Sequence, residues 1–366
     1  MRRALIVLAL ATACAPSVSE GFLRAKAAGD RALSAGRYEE AARAYREAAD
    51  AAERQRDRDE ALFLEAGVFQ RARDFEKAKA AYRALLAESP SGERAGRASY
   101  ELAWLEIETG NEAEGYALLE RALREHPKAG PARRALKRYL DHLVERDGKR
   151  AALAWIEQSL ASFQGSPLEE NLLYERAKVL ESLGELEAAR DAFVECAQRH
   201  PYPFGSLFDD ALWNASLLDE ALGRYRLAIQ DLEQMLHHRE VSTFTGSYER
   251  PRYAAARMRI AELYRDRIGD LDAARRAFHA VYSEHETSLL RDDALWEEAK
   301  IAHQLRDFDA ACSLTERLAR EFPDSRYVGC IPLLCGPAPT DPPKDCRPYI
   351  AGTYGRREDE GSATED

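Results

Sequence analysis

Four cysteines near the C-terminal end of the chain are the residues best placed to form covalent cross-links. Their spacing, Cys-x4-Cys followed by a lone cysteine after ten more residues, is not a usual spacing of zinc ligands, which makes a metal site the weaker alternative. Oxidation is expected if the chain is exported, and four cysteines allow three pairings, which the sequence leaves open. We therefore predict disulfides among Cys312, Cys330, Cys335 and Cys346.

Cys14 closes an N-terminal segment that has the pattern of an export signal. Arg2 and Arg3 form a short basic start, and Ala4–Ala13 is an apolar run of ten residues. This run is too short to cross a bilayer, because a transmembrane helix needs about 20 apolar residues. We predict a signal peptide at residues 1–13.

The residues Leu-Ala-Thr-Ala before Cys14 resemble the lipobox of bacterial lipoproteins. This resemblance implies that Cys14 becomes the first mature residue and carries the lipid, with 14–21 as a short tether, and that Ala15 directs the protein to the outer membrane. Ordinary signal cleavage is the alternative, because small-x-small triplets also surround this position. That route would give a soluble periplasmic or secreted protein.

The remaining residues that could do chemistry do not form a catalytic or metal-binding pattern. The sequence has no Gly-rich phosphate loop, no Gly-x-Ser-x-Gly motif and no His-Glu-x-x-His motif. His279 and His285 would lie on different faces of a helix, and paired carboxylates such as Glu297-Glu298 are typical of a solvated helix surface. We predict no catalytic activity, no metal ion, no cofactor and no small-molecule substrate.

The charge balance argues against nucleic acid as a partner. The chain has 53 Lys and Arg against 64 Asp and Glu, a formal charge of −11. Loss of Arg2 and Arg3 with the signal peptide would bring the charge to −13. Phosphate binding needs a concentrated basic surface, and no run of Lys and Arg supplies one.

A small residue that recurs eight times identifies the elements that position these side chains. Successive spacings are 37 residues except for one of 39 and one of 46, and each unit contains two apolar-periodic stretches joined by a short polar turn. A fixed period of this size is typical of stacked helix hairpins, none of which can bury its own apolar face alone. The recurring positions are Ala41, Ala78, Gly115, Ala152, Ala189, Ala228, Ala274 and Ala311.

These units resemble the tetratricopeptide repeat family, whose pattern has small residues at repeat positions 8 and 20, an aromatic residue near 24 and proline at 32. The resemblance implies an all-α, right-handed superhelical solenoid of about eight hairpins over residues 22–323. Repeats four and seven, with Leu140 and Glu262 at position 8, are degenerate or out of phase. The predicted repeats start near residues 22, 59, 96, 133, 170, 209, 255 and 292.

Three segments depart from the repeat pattern. Nine extra residues fall around 240–251, where contact with a ligand and a tolerated surface loop are both open interpretations. After the last repeat, prolines and cysteines predict an irregular cap at 324–350. The acidic end, 351–366, is predicted to be disordered.

The family resemblance implies that positions 2, 5, 9, 12 and 13 of each first helix line the concave groove. Large aromatic and basic residues at such positions would anchor a protein or peptide partner. Packing between neighbouring helices is the alternative role for the aromatic residues. The predicted groove residues are Phe63, Arg97, Tyr100, Trp104, Lys137, Tyr174, Lys178, Trp213, Arg259, Trp296 and Lys300, with Arg134 also at position 2.

These features together predict a non-catalytic scaffold of the bacterial cell envelope that binds a protein or peptide partner in its groove. The arrangement is loosely similar to the tetratricopeptide lipoprotein subunit of the outer-membrane β-barrel assembly machinery. A subunit of secretion or motility machinery is an alternative. An alternative of another class is a helical platform associated with peptidoglycan-cleaving enzymes, against which the short segment outside the repeats argues.

Overall fold

The computed structural model of the protein describes residues 17–238, 241–242, 248–249, 251–336, 341 and 343–352. The predicted signal peptide, the lipidation site Cys14 and residues 353–366 of the predicted acidic tail lie outside the described residues. Most of the insertion at 240–251 also lies outside them. The chain divides into two compact units, residues 1–172 and 173–366, and the division falls inside a helix.

The first unit consists of helices that follow one another with short connections. Its helices are α1 (Glu20–Ser34), α2 (Tyr38–Ala51), α3 (Gln55–Arg71), α4 (Phe75–Glu88), α5 (Ala95–Glu108), α6 (Glu112–Glu125), α7 (Ala132–Asp147) and α8 (Lys149–Phe163), and α9 (Glu169–Ser182) crosses the division. The second unit continues with α10 (Leu186–Arg199), α11 (Phe208–Ala221), α12 (Tyr225–His237), α13 (Pro251–Leu263), α14 (Leu271–Glu284), α15 (Arg291–Gln304), α16 (Phe308–Glu321) and α17 (Pro348–Ala351).

The predicted all-α class is confirmed. Helices α1 to α16 follow one another as eight consecutive pairs; the two helices pack against each other in seven of these pairs, and in the pair α9 and α10 the ring of Tyr174 contacts the ring of Phe193. Within the insertion, strands β1 (Val241–Ser242) and β2 (Tyr248–Glu249) form a two-residue antiparallel pair, with Val241 opposite Glu249. None of the helices in the described residues is both long and apolar enough to span a membrane.

The recurring small residue lies at the contact between the two helices of each hairpin. All seven alanines of the set are fully buried, and Gly115 is buried at the eighth position. A Cβ atom at Gly115 would lie 2.8 Å from the backbone nitrogen of Ile107, so only glycine fits there. Close approach of the paired helices is therefore the reason for the period that the sequence shows.

The two irregular repeats have different structural causes. In repeat seven a π-helical turn at Tyr264–Ile268 follows α13. It adds a residue to the first helix, so the buried Ala261 takes the small-residue position that the regular period assigns to Glu262. In repeat four the larger Leu140 is itself buried in the hairpin.

The C-terminal cap is held to the last hairpin by two disulfides, Cys312–Cys335 and Cys330–Cys346. The predicted cross-linking of these four cysteines is confirmed, and the structure supplies the pairing. A short 3-10 helix at Val328–Leu333 contains Pro332, which lacks the backbone N–H needed to continue a regular helix. Its buried side chains close the apolar face of α15 and α16.

The start of the cap occupies the place of another repeat. The segment Asp-Asp-Ala-Leu-Trp occurs in both α11 and α15, and an Arg-Tyr pair packs against each copy. Arg252 pairs with Asp210 at a separation of 42 residues, and Arg326 pairs with Asp293 at a separation of 33. The difference equals the nine extra residues of the insertion, so the cap begins where the next first helix would begin.

Candidate functional site

Two of the predicted groove aromatics are buried and cannot contact a partner. The hydroxyl of Tyr100, whose side chain is 0% exposed, donates to the carbonyl oxygens of Ala122 and His126 at the end of α6. Trp296 is 2% exposed because Tyr327 of the cap stacks on its indole ring. Their prediction as groove residues is wrong, since both fill space between packed elements.

Three other aromatics of the first helices are half-buried, and each is covered by an arginine from the next repeat. The guanidinium carbon lies 5.1 Å from the ring centre in the pair Arg97–Phe63, 5.4 Å in Arg134–Trp104 and 5.6 Å in Arg252–Trp213. Such stacking uses the face of the guanidinium and leaves its N–H edges available to other acceptors. The arrangement therefore places an apolar ring and a cation side by side.

The Phe63–Arg97 pair belongs to a cavity of about 340 Å³ in the first unit. The cavity lies among the first helices of the first three repeats, α1, α3 and α5, and reaches one residue of α4. It is lined by Leu33, Phe63, Leu64, Gly67, Gln70, Arg71, Tyr82, Arg97 and Glu101. Six of these residues stand at positions 2, 5, 9, 12 or 13 of their repeats, the positions predicted to be concave.

The floor of the cavity is aromatic and is fixed by hydrogen bonds. The rings of Phe63 and Tyr82 lie 5.6 Å apart, and the Tyr82 hydroxyl donates to Oε1 of Gln70 at 3.2 Å. Burial raises the pKa of Tyr82, and the nearby Glu101 raises it further, so the hydroxyl remains a donor. Nε2 of Gln70 donates to Glu101 at 3.4 Å, which orients the amide at the cavity edge.

The rim of the cavity carries two arginines whose charge is not neutralised by a close carboxylate. Among the described residues, no Asp or Glu oxygen lies within 4.0 Å of the guanidinium of Arg71 or Arg97. Arg94, by contrast, pairs with Glu60 on the same helices. Glu101 is the single acidic residue of the lining, so the cavity has a net positive charge in a chain whose formal charge is −11.

Gly67 keeps part of this cavity open. It lies in the interior of α3, where glycine is about 1 kcal/mol less favourable than alanine. A Cβ atom there would meet a single neighbour within 4 Å, the Tyr82 hydroxyl at 3.9 Å. The helix thus has room for a side chain at this point but carries none.

A second cluster surrounds Trp213 in the second unit. Nδ2 of Asn214 donates to the Tyr174 hydroxyl at 2.8 Å, and burial, followed by the nearby Asp210, raises the pKa of Tyr174. Arg252 stacks on Trp213 and pairs with Asp210. The cation of this cluster is therefore neutralised within the protein, unlike the arginines of the first-unit cavity.

The family model described as tetratricopeptide repeat matches residues 26–93, 63–130 and 264–326. The chain contains tetratricopeptide repeats in these segments. The family predicted from the spacing is confirmed, and every residue that lines the first-unit cavity lies within the matched segments.

Several solved structures match the chain at low sequence identity and with TM-scores below 0.5. The C-terminal part of a TPR repeat-containing protein from Cytophaga hutchinsonii is 12% identical, with 75% of this chain and 99% of that chain covered and a TM-score of 0.44. PilF of Pseudomonas aeruginosa is 18% identical, with coverage of 64% and 94% and a TM-score of 0.36. The TPR2AB domain of yeast Sti1, in complex with pHSP90, is 14% identical, with coverage of 76% and 96% and a TM-score of 0.28. No curated protein matches the chain.

Most of the predicted basic groove residues in these tetratricopeptide repeats are engaged by acidic neighbours. Lys137 pairs with Asp141 at 2.8 Å and Lys300 with Glu297 at 2.9 Å. Further pairs are Lys178 with Glu175 at 3.9 Å and Arg259 with both Glu220 and Glu262. Arg97 and Arg134 differ from this set, because no Asp or Glu oxygen lies within 4.0 Å of either guanidinium among the described residues.

The histidines do not assemble a metal site in the described part of the chain. Nδ1 of His279 lies 3.1 Å from Oε2 of Glu298, while His285 is buried apart from them. Burial raises the pKa of Glu298, and His279 opposes that rise. No group of three or more His, Cys, Asp and Glu side chains is arranged to hold a metal ion among these residues.

Of the nine residues that line the cavity, the predicted groove residues include only Phe63 and Arg97, although the repeat pattern contained a signal for others. Gly67, Gln70 and Arg71 stand at positions 9, 12 and 13 of the second repeat, on the face that the resemblance assigns to the groove. Arg252 of the second unit was missed because it precedes a repeat whose first helix is out of phase.

Proposed function

We propose that this protein is a non-catalytic scaffold of the bacterial cell envelope that holds a protein or peptide partner on its first helices. Tetratricopeptide repeats serve as scaffolds for protein interaction. The observation that supports a site on these helices is the set of half-buried aromatic rings, each stacked by an arginine of the next repeat. Large rings with an adjacent cation are the residues that dominate binding energy at protein interfaces.

The first-unit cavity provides a concave pocket on this surface. Its aromatic floor can remove an apolar side chain of the partner from water, while at the edge Gln70 can accept or donate hydrogen bonds and the arginines of the rim can donate them. Burial of apolar area supplies affinity, and the polar edge supplies orientation. This combination favours an extended peptide segment as the partner.

The binding test is a variant in which Phe63, Trp104 and Trp213 are all replaced by alanine. We expect capture of the partner, measured by crosslinking in cell envelopes and mass spectrometry, to fall sharply while helical content measured by circular dichroism is unchanged. The matched control is Leu227→Ala, which removes an exposed apolar side chain from a second helix and should leave capture intact. Equal capture by the triple variant and the wild type would refute the proposed surface.

The proposal places the scaffold at the periplasmic side of the outer membrane, anchored by a lipid on Cys14. Its support is the sequence alone: a basic start, a short apolar run and a lipobox-like segment. We expect metabolic labelling with palmitate to mark the wild type and not the Cys14→Ser variant. An unlabelled wild type would contradict the anchor and favour the soluble alternative.

A further inference from the structure

We propose that two loop tips of the second unit, Phe204 and Leu289, contact a lipid bilayer by burying their side chains in its surface. The inference goes beyond the proposed function and rests on it only for the presence of a membrane near the protein. It is carried by the exposure of these two side chains, by their equivalent positions, by the hydrogen bonds that fix their loops and by the charge around them.

Both apolar side chains protrude from the second unit into solvent. Among the described residues, Phe204 and Leu289 are each 92% exposed, while no other large apolar side chain is more than 59% exposed. Single exposed apolar residues are ordinary on protein surfaces, so exposure alone does not identify a site. The shared position of these two residues in their repeats distinguishes them from such single residues.

Phe204 and Leu289 occupy the same position in the connection between two repeats. Phe204 is the fourth residue after His200, the C-cap of α10, and Leu289 is the fourth residue after His285, the C-cap of α14. Leu168, at the same position after α8, is buried. The other connections between repeats have a polar residue or glycine at this position: Arg56, Glu93, Gly130, Ser242 and Arg326.

The two loops emerge at the same edge of the second unit. Each of the helices α10 to α15 packs against the next one, and each connection reverses the direction of the chain. Four reversals separate the connection after α10 from the connection after α14, so the chain passes through both in the same sense. The connection from α12 to α13 leaves at this edge as well. Both tips can therefore face one surface.

Hydrogen bonds inside each loop hold the backbone of the tip in place. The N–H group of Phe204 donates to the carbonyl oxygen of Pro201 at 3.1 Å. In the second loop, the N–H group of Ser288 donates to the carbonyl oxygen of His285 at 2.9 Å. A loop that is ordered before binding loses little conformational entropy when its tip enters an apolar environment.

A lipid surface fits two separated tips better than a protein partner does. Residues that dominate a protein interface lie in packed pockets, surrounded by contacts that exclude water, whereas a whole repeat separates these two tips. A bilayer needs no complementary pocket, because its apolar region can receive each protruding side chain independently. The lipid proposed at Cys14 would keep such a surface within reach.

The charge of the two connections is compatible with a lipid surface of either neutral or anionic composition. From the last residue of one helix to the first residue of the next, they contain Arg199 and Arg291 against Glu284 and Glu286, which gives no net charge with histidine counted as neutral. The whole chain has a formal charge of −11. We therefore expect the contact to depend on burial of apolar surface and to be insensitive to salt.

The test is cosedimentation of the unlipidated mature chain, in which Cys14→Ser prevents lipidation, with lipid vesicles. One set of vesicles consists of phosphatidylcholine, and the other consists of phosphatidylethanolamine with phosphatidylglycerol. We expect the protein to bind both sets, with a partition coefficient that changes little between about 0.1 and 0.5 M salt.

The decisive variant replaces both tips, Phe204→Ser with Leu289→Ser. It should lower the partition coefficient about tenfold or more, because two apolar side chains no longer enter the bilayer. Its thermal unfolding midpoint should equal that of the wild type, since both side chains are already in water. The matched control, Leu217→Ser with Leu227→Ser, removes two exposed leucines from α11 and α12, away from the connections, and should leave vesicle binding intact.

The outcomes separate this inference from the proposed function. A wild type that does not sediment with vesicles, equal sedimentation of the tip variant, or binding that high salt abolishes would overturn the lipid contact. None of these results bears on capture of a partner by the first helices. Failure of palmitate labelling would contradict the anchor at Cys14, while vesicle binding by the unlipidated chain would still support the contact.

Discussion

Side chains of the same type in the same local sequence have different roles here because different residues cover them. Trp213 and Trp296 both end the segment Asp-Asp-Ala-Leu-Trp. Trp213 is covered by the guanidinium of Arg252 and stays half-buried, whereas Trp296 is covered by the ring of Tyr327 and is excluded from solvent. The first can contribute to a binding surface, and the second belongs to the core.

This difference predicts unequal effects of truncation. Trp296→Ala should destabilise the second unit by about 3–5 kcal/mol, because it leaves a cavity under the cap. Trp213→Ala should cost about 1–2 kcal/mol, because its ring is only half-buried and less packing is lost. Thermal unfolding followed by circular dichroism compares the two variants, and a larger loss for Trp213→Ala would contradict the assignment.

The repeat positions in the sequence predicted the candidate site only in part, because they do not show which other residues pack over each predicted side chain. The phase of the repeats correctly placed Phe63, Arg97 and the residues beside them on one face. It could not show that the hydroxyl of Tyr100 donates to carbonyl oxygens at the end of α6 in the same hairpin, or that the cap covers Trp296. Both facts depend on residues far along the chain, which no local periodicity contains.

At the scale of helices and turns, the sequence predicts where the two helices of each hairpin meet and where the turn between them lies. Small residues permit close helix contact, and in six hairpins a glycine takes the left-handed backbone conformation at the turn. In the other two hairpins arginine takes it, with φ of 61° at Arg73 and 63° at Arg306. The turns at Arg73 and Arg306 therefore share the positive φ of the glycine turns.

Arginine in the left-handed region is strained, which gives a prediction for the last hairpin. Arg306→Gly should stabilise the second unit by about 0.5–1 kcal/mol, because relief of the strain exceeds the added flexibility of the unfolded chain. Gly223→Ala is the converse control: it should destabilise by a similar amount, since a Cβ there meets no neighbour within 4 Å and the effect is one of backbone conformation. Unchanged unfolding midpoints in both variants would argue against strain at these turns.

The π-helical turn after α13 explains the irregularity of repeat seven, which the spacing of the repeats indicates but does not explain. The sequence indicates that repeat seven is irregular, because Glu262 stands where a small residue is expected. The cause is one additional residue in the first helix, which moves Ala261 into the contact and shifts the groove positions of that repeat. Arg259 therefore lies one position away from its assigned place and pairs with Glu220 and Glu262 instead.

At the scale of the whole molecule, the chain combines tetratricopeptide repeats with a C-terminal segment that differs from them. The described C-terminal end is closed by a segment that imitates the start of a further repeat, and two disulfides attach it. Stacked repeats need such a terminal cap because the last hairpin would otherwise expose its apolar face. Disulfides fit the proposed periplasmic location, where oxidising conditions preserve them.

The central claim is that a partner binds on the first helices, and site-specific photo-crosslinking tests it most directly. A photoreactive amino acid placed at Gln70, in the first-unit cavity, is compared in living cells with the same probe placed at Arg43, on the exposed face of a second helix. The account predicts a discrete crosslinked polypeptide from position 70 that is lost in the Gly67→Leu background, and none from position 43. Crosslinks from position 43 alone, or crosslinks from position 70 that survive filling of the cavity, would contradict it.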